Sequence, residues 1–269
     1  MAPCFLAIGG ILRTNSLKNG EKRLKKMRRM PNGLPGAAVK WIAFILMVLD
    51  HTGAALIAPY MSRQTGVEAL GILYTASRCM GRGAFPLYLM LLVEGVKHTH
   101  SGKRYAARLF VSGLISEIPF DMALYGQIYP QHQNVMFTLA VGAAALRMTV
   151  TILQKQDHLW LRRLIGYGII PAAGCLICQF YHTDYGLYGI LALYGLWFVS
   201  KKADMLAWGF LASSIILTCM APIEALTIVF TPVAMEYDGQ KGRQDHVWYA
   251  AYPGHLTILA VLRWGLFGA

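Results

Sequence analysis

Residues 40–58 read Lys-Trp-Ile-Ala-Phe-Ile-Leu-Met-Val-Leu-Asp-His-Thr-Gly-Ala-Ala-Leu-Ile-Ala, an apolar run interrupted at its middle by Asp50 and His51. About 20 residues of helix cover the ~30 Å of hydrocarbon in a bilayer, so the run has the length of a membrane span. An aspartate at that depth costs on the order of +2.5 to +3.5 kcal/mol on insertion scales, and a chain that keeps one there is expected to use it. The stretch therefore predicts a transmembrane helix and a functional pair in the same few residues.

Working outward, apolar runs recur to the C-terminus. The 269 residues are 56% hydrophobic and 14% charged, against about a quarter charged for an ordinary soluble domain. Segments such as residues 85–93 do not alternate apolar with polar, which excludes a membrane β-barrel. The fold class expected is all-α: a polytopic transmembrane helical bundle of about nine spans, at 40–58, 70–96, 105–125, 134–153, 163–181, 186–200, 204–220, 222–236 and 248–267. The sixth and eighth are the shortest. His182 to Gly186 and Ala221-Pro222 are the turn signals that divide the fifth from the sixth and the seventh from the eighth.

The net charge of +12 could suggest nucleic acid, but the lysines and arginines gather at the ends of apolar runs. Lys18, Lys22, Arg23, Lys25, Lys26, Arg28 and Arg29 precede the first span. Lys97, Lys103, Arg104 and Arg108 follow the second, Lys155, Arg162 and Arg163 the fourth, Lys201 and Lys202 the sixth, and Lys241 and Arg243 the eighth. The opposite connections contain only Arg63. The positive-inside rule then makes the N-terminus cytoplasmic and the C-terminus external, with no nucleic-acid partner. Residues 1–39 are expected to be a basic cytoplasmic or interfacial segment and residues 40–269 the membrane domain. Residues 18–29 would lie on anionic headgroups. Residues 1–12 are apolar but too short to span, and basic residues follow rather than precede them, the wrong order for a signal peptide. Cys175 and Cys178, a CxxC inside an apolar segment, read as buried inert thiols.

Polar groups inside the spans mark the candidate site, since none can face lipid cheaply. Asp50 and His51 lie halfway along the first span and Arg82 halfway along the second, with Arg78 one turn earlier. Glu117 and Asp121 flank Pro119 in the third, Asn134 and Thr138 open the fourth, Asp184 stands at the outer mouth and His255 at mid-depth in the ninth. The glycines around Arg82 allow close helix approach, and Pro86 frees a carbonyl. Each residue also has a structural reading: Arg82 in a salt bridge with Asp50 or Glu117, the two histidines as hydrogen-bonded core residues, Asn134 and Thr138 as caps, Glu117 and Asp121 as partners for groups freed by Pro119. His98, His100, His132, His158 and His246 lie in or near connections and are expected to face solvent.

An imidazole with a carboxylate beside it and a guanidinium opposite suits activation of a nucleophile and stabilisation of an oxyanion. No hydrolase elbow, Walker loop, dinucleotide fingerprint or zincin motif occurs. Histidines and carboxylates are not at zinc spacing, so no metal is expected.

Four segments, Lys40 to His51, Gly81-Arg-Gly-Ala-Phe-Pro-Leu87, Asp184-Tyr-Gly-Leu-Tyr-Gly189 and Tyr252-Pro-Gly-His255, resemble the TraX family of bacterial membrane proteins, in the same order across nearly the whole chain from Lys40. The resemblance implies a multi-pass enzyme of the bacterial cytoplasmic membrane. It would use acetyl-CoA as co-substrate and pass the acetyl group to an amine or hydroxyl on a protein, such as a pilin N-terminus, or on a surface glycan. His51 or His255 would be the base, Arg82 would hold the acyl donor or oxyanion, and Asp50 would orient or charge-balance. Arg78, Glu117, Asp121, Asn134, Thr138, Asp184 and Tyr185 are expected around the substrate. A transporter using the same charges as a proton or ion relay, and a non-catalytic assembly factor for surface structures, are the rival classes. The absence of two similar halves weighs against the first.

Overall fold

The computed structural model describes residues 33–64, 68–99, 101–155, 158–240, 242 and 247–268. The basic segment at 18–29 and the apolar start at 1–12 lie outside the described residues. Apart from a single 3-10 turn at Ala203–Met205, nine helical segments follow one another among the described residues. They are α1 Gly36–Arg63, α2 Glu68–His98, α3 Gly102–Leu124, α4 Val135–Leu153, α5 Leu159–Phe180, α6 Gly186–Val199, α7 Leu206–Thr218, α8 Pro222–Met235 and α9 Val247–Phe267. There is no strand among the described residues.

Length and composition separate these helices. α1, α2, α4 and α5 are long and apolar enough to cross a membrane. α6 and α7 have 14 and 13 residues and at 1.5 Å per residue reach only about 20 Å. α8 is nine residues of 3-10 helix, Pro222–Phe230, continued by five of α-helix. Such a 3-10 run is unusually long, because its hydrogen bonds are poorly aligned.

The outer faces are apolar and bare: Ile72, Leu176 and Phe180 are each more than 70% exposed. Ser116, Asn134, Thr149, Ser213, Ser214, Glu224 and Thr227 are instead fully buried. A surface greasier than the interior at these positions is what a bilayer demands. The second half of α2, from Ala84, is the hub, packed against α1, α4, α6 and α7, with Phe85, Leu87, Leu89, Met90, Leu92 and Val93 buried.

Prolines interrupt several helices, and the carbonyls they free find other donors. Pro59 cannot bond the carbonyl of Ala55; the helix widens into a π-turn over Gly53–Ile57, and Nη1 of Arg263 donates to that carbonyl at 3.4 Å and to those of Ala123 and Leu124 at 3.1 and 3.0 Å. Pro253 frees the carbonyl of Tyr249, which accepts from Ser112 Oγ at 3.2 Å. Pro232 frees that of Ile228, which accepts from Thr231 Oγ1 at 2.6 Å. Satisfying such groups is obligatory where no water competes.

Contacts sort the helix ends into two sets. At one end Leu34 pairs with Tyr237, Lys97 Nζ donates to the carbonyl of Ser200, Lys201 Nζ to Tyr167 and Arg162 to the carbonyl of Leu153. At the other, Gln133 pairs with Thr183 and Arg63 donates to the carbonyl of Phe267. Lys97, Arg162 and Lys201 fall in the first set and Arg63 in the second.

Candidate functional site

The α1–α2 crossing is close because its contact residues are small. A Cβ on Gly81 would collide with Cβ and Oδ1 of Asp50, and one on Gly53 with Oγ of Ser77. This approach brings three ionised side chains together in the apolar interior. Asp50 Oδ1 accepts from Arg82 Nη2 at 2.5 Å, and Oδ2 from Arg78 Nη1 at 2.7 Å. Arg82 Nη1 donates to Oε1 of Glu224 at 2.8 Å, and its Nε to the carbonyl of Arg78 at 3.1 Å. Two guanidiniums and two carboxylates sum to zero, the condition under which such a group survives burial.

Asp50 therefore balances charge; among the described residues no hydrogen bond joins it to His51. Of the two partners expected for Arg82, Asp50 is present. Glu224 takes the place of Glu117, because α8 reaches the middle of α2 while Glu117 faces α4. With every nitrogen of Arg82 engaged, the more open guanidinium is that of Arg78, 27% exposed at its side chain. Its Nε and Nη2 carry no hydrogen bond among the described residues.

His51 sits on the opposite flank of Asp50. Its Nδ1 lies 2.8 Å from Nε2 of His255, and the two rings lie edge to edge and nearly coplanar, with centroids 5.1 Å apart and 7° between planes. His255 Nδ1 is 3.1 Å from the carbonyl of Ala251. Phe44 meets His255 edge-on, and Tyr252 meets both rings. The two histidines named separately in the sequence are one hydrogen-bonded pair.

Two cavities approach this centre from opposite ends. The first, about 360 Å³, lies at the basic end between the starts of α1, α3 and α9 and the end of α2, with Lys40, His98 and Arg108 at its rim and Phe44, Tyr88 and Tyr252 deeper. The second, about 310 Å³, lies at the other end and is lined by Asp50, His51, Arg78 and Arg82, with Tyr125, His132, Asp184 and Tyr185 toward its mouth. Met47, Tyr88 and Val135 line both and form the septum.

Of the remaining expected residues, Asp184 and Tyr185 line the second cavity and Glu117, Asp121, Asn134 and Thr138 do not. Tyr185 has φ 62°, strained for a bulky residue, and is held by face-to-face stacking on Phe85 at 3.7 Å. Asp184 is pinned through its backbone, its N–H donating to the carbonyl of Gln133 and its carbonyl accepting from Thr138 Oγ1. Asn134 caps α4, accepting from the Met136 N–H and donating to Glu117 Oε2. Asp121 accepts from the N–H of Tyr129 and ties the α3–α4 loop. Glu117, Asp121, Asn134 and Thr138 thus hold loops in place, while Asp184 and Tyr185 face the cavity. His132, expected in solvent, is half-buried and lines the cavity, stacked on Phe120.

Glu224 and Arg263 were not singled out in the sequence. Glu224 is the only charged residue between Asp204 and Glu236, and that isolation was its signal. Cys175 and Cys178 are free thiols in α5. No group of three or more His, Cys, Asp or Glu that could hold a metal ion occurs among the described residues.

The family described as TraX protein matches residues 35–263. The chain belongs to the TraX family. No curated protein and no solved structure matches it. The match takes in every residue of both cavity linings and the whole charge cluster, so this TraX-family membrane protein carries its buried site inside the segment that defines the family.

Proposed function

We propose that this protein is an acetyltransferase of the bacterial cytoplasmic membrane that takes acetyl from cytoplasmic acetyl-CoA and delivers it to an amine or hydroxyl of a protein or surface glycan on the far side. In this reading the chain crosses nine times with its N-terminus in the cytoplasm, and the cavities between α1, α2, α3, α4 and α9 thin the barrier. The observation that carries the reading is the pair of cavities entering from opposite ends and meeting at a three-residue septum with His51 beside it.

The cytoplasmic cavity receives the thioester arm, with Lys40 and Arg108 at the rim attracting the anionic nucleotide end. The acceptor enters from the far side, past Asp184 and Tyr185. His51 removes the acceptor proton as its nitrogen or oxygen attacks the thioester carbonyl. The carbonyl oxygen becomes an oxyanion beside the unengaged donors of Arg78, and collapse expels the thiolate. Asp50 and Glu224 neutralise the two arginines and fix them, so that donors are in place before charge develops.

The test is transfer of labelled acetyl from acetyl-CoA by purified protein in detergent. His51→Ala is expected to lower kcat by about 10²–10⁴-fold, the usual contribution of a general base. Loss of an oxyanion donor in Arg78→Gln is expected to cost about 10²–10³-fold. Wild-type transfer by folded His51→Ala protein overturns the mechanism. Proton or ion flux in vesicles without any acetyl transfer assigns the site to a transporter instead.

A further inference from the structure

The hydrogen bonds around the two histidines allow one arrangement of protons when both rings are neutral. The carbonyl of Ala251 can only accept, so Nδ1 of His255 carries a proton. Nε2 of His255 then holds a lone pair, and its 2.8 Å contact requires the proton of His51 to be on Nδ1. What remains is Nε2 of His51, a lone pair with no hydrogen bond among the described residues, on a ring that lines the second cavity.

We infer that His51 and His255 form a two-step proton relay in which His51 Nε2 takes the acceptor proton while the Nδ1 proton of His51 passes to Nε2 of His255. The inference rests on the acetyl-transfer reading and adds a role that reading leaves open. As the acceptor attacks, its N–H or O–H bond breaks and an Nε2–H bond forms on His51. The Nδ1–H bond of His51 breaks, and an Nε2–H bond forms on His255. The positive charge then rests on His255, whose Nδ1–H still donates to Ala251. When the tetrahedral adduct collapses, the Nε2 proton of His51 goes to the departing sulfur, and His255 returns its proton to Nδ1 of His51. Sulfur and acceptor atom are bonded to the same carbon at that moment, so one imidazole serves both, and the pair ends as it began.

The surroundings supply a reason for two rings. Asp50, the chain neighbour of His51, already balances Arg78 and shares Arg82 with Glu224, so no carboxylate there is left over to balance a cation on His51. Passing the charge to His255 puts it on α9, on a ring that bonds neither guanidinium among the described residues and whose Nδ1–H already donates to the carbonyl of Ala251. His255 acts through His51 and touches neither substrate; it is a positioning and relay residue.

The experiment is nitrogen NMR of ¹⁵N-histidine-labelled protein in nanodiscs, together with acetyl-transfer kinetics of His255→Gln. Both buried histidines are expected in the form protonated at Nδ1, the minor form of free imidazole. The glutamine can accept from His51 Nδ1–H but cannot take up its proton. The variant is expected to keep the KM of both substrates within about twofold while kcat falls by about 100-fold or more. A His51 signal protonated at Nε2 in the wild type, which needs no variant to fold, overturns the relay, as does wild-type kcat in His255→Gln. Transfer with the wrong tautomer removes the relay alone; the expected tautomer with no transfer from any acyl thioester removes the acetyl-transfer reading and the relay with it.

Discussion

At the scale of the residue, Arg82 is held by two carboxylates from two other helices, and its replacement should be costly in a diagnosable way. Arg82→Leu leaves Glu224 charged and fully buried without its partner, a defect worth about 3–5 kcal/mol. The expected result is a large loss of thermal stability in detergent, part of which Arg82→Leu/Glu224→Leu recovers because the orphaned charge is gone. A double-mutant cycle measures the coupling, and additive single effects would show that the pair is not energetically linked. The same residues show what a sequence can reveal. Asp50, His51, Arg82 and His255 were legible because each interrupts an apolar run near its middle, where an unpaired polar group cannot be kept cheaply. Glu224 obeys the same rule but stands two residues after Pro222, where a carboxylate reads as part of a turn. Its pairing with Arg82 depends on where α8 ends up, which periodicity does not encode. The joining of His51 to His255 was hidden likewise, since 204 positions separate them.

At the scale of the element, the bundle depends on which helices have room to approach. Gly81→Ala places a methyl against the side chain of Asp50 and should cost about 1–3 kcal/mol as overpacking, with loss of the Arg78 and Arg82 bonds as α1 and α2 part. Gly254→Ala meets nothing within 4 Å and is the control, expected to leave the melting temperature unchanged or raise it. Equal effects at the two glycines would mean that α1–α2 contact is not limiting. Arg263→Met strips donors from three carbonyls, one in the π-turn of α1 and two at the end of α3, and should destabilise by about 1–3 kcal/mol. Hydrogen exchange is expected to quicken around residues 55–63 and 123–126 while α6 and α7 keep their protection. All nine helical positions were legible from hydropathy and turn residues, whereas the π-turn in α1 was not: Pro59 foretells a broken bond but not the widening that accommodates it.

At the scale of the whole molecule, the contacts that join Leu34 to Tyr237, Lys97 to Ser200 and Gln133 to Thr183 predict which connections face the same compartment. Single cysteines at Lys97 and Lys201, in a background lacking the native thiols, should react with a membrane-impermeant maleimide from the cytoplasmic side. Cysteines at Ser62 and Gln127 should react from the other. Labelling of Gln127 and Lys201 from one side would overturn the nine-crossing arrangement. The septum has a consequence of its own in a living cell. In the proposed nine-crossing arrangement, with hollows entering from both faces, the insulating layer narrows at Met47, Tyr88 and Val135 to the thickness of a few side chains, and the membrane voltage would fall mostly there. An elementary charge crossing the full drop exchanges about 2.3 kcal/mol with the field per 100 mV, so any ion or proton displaced through that layer during turnover couples the protein to the energised state of the membrane.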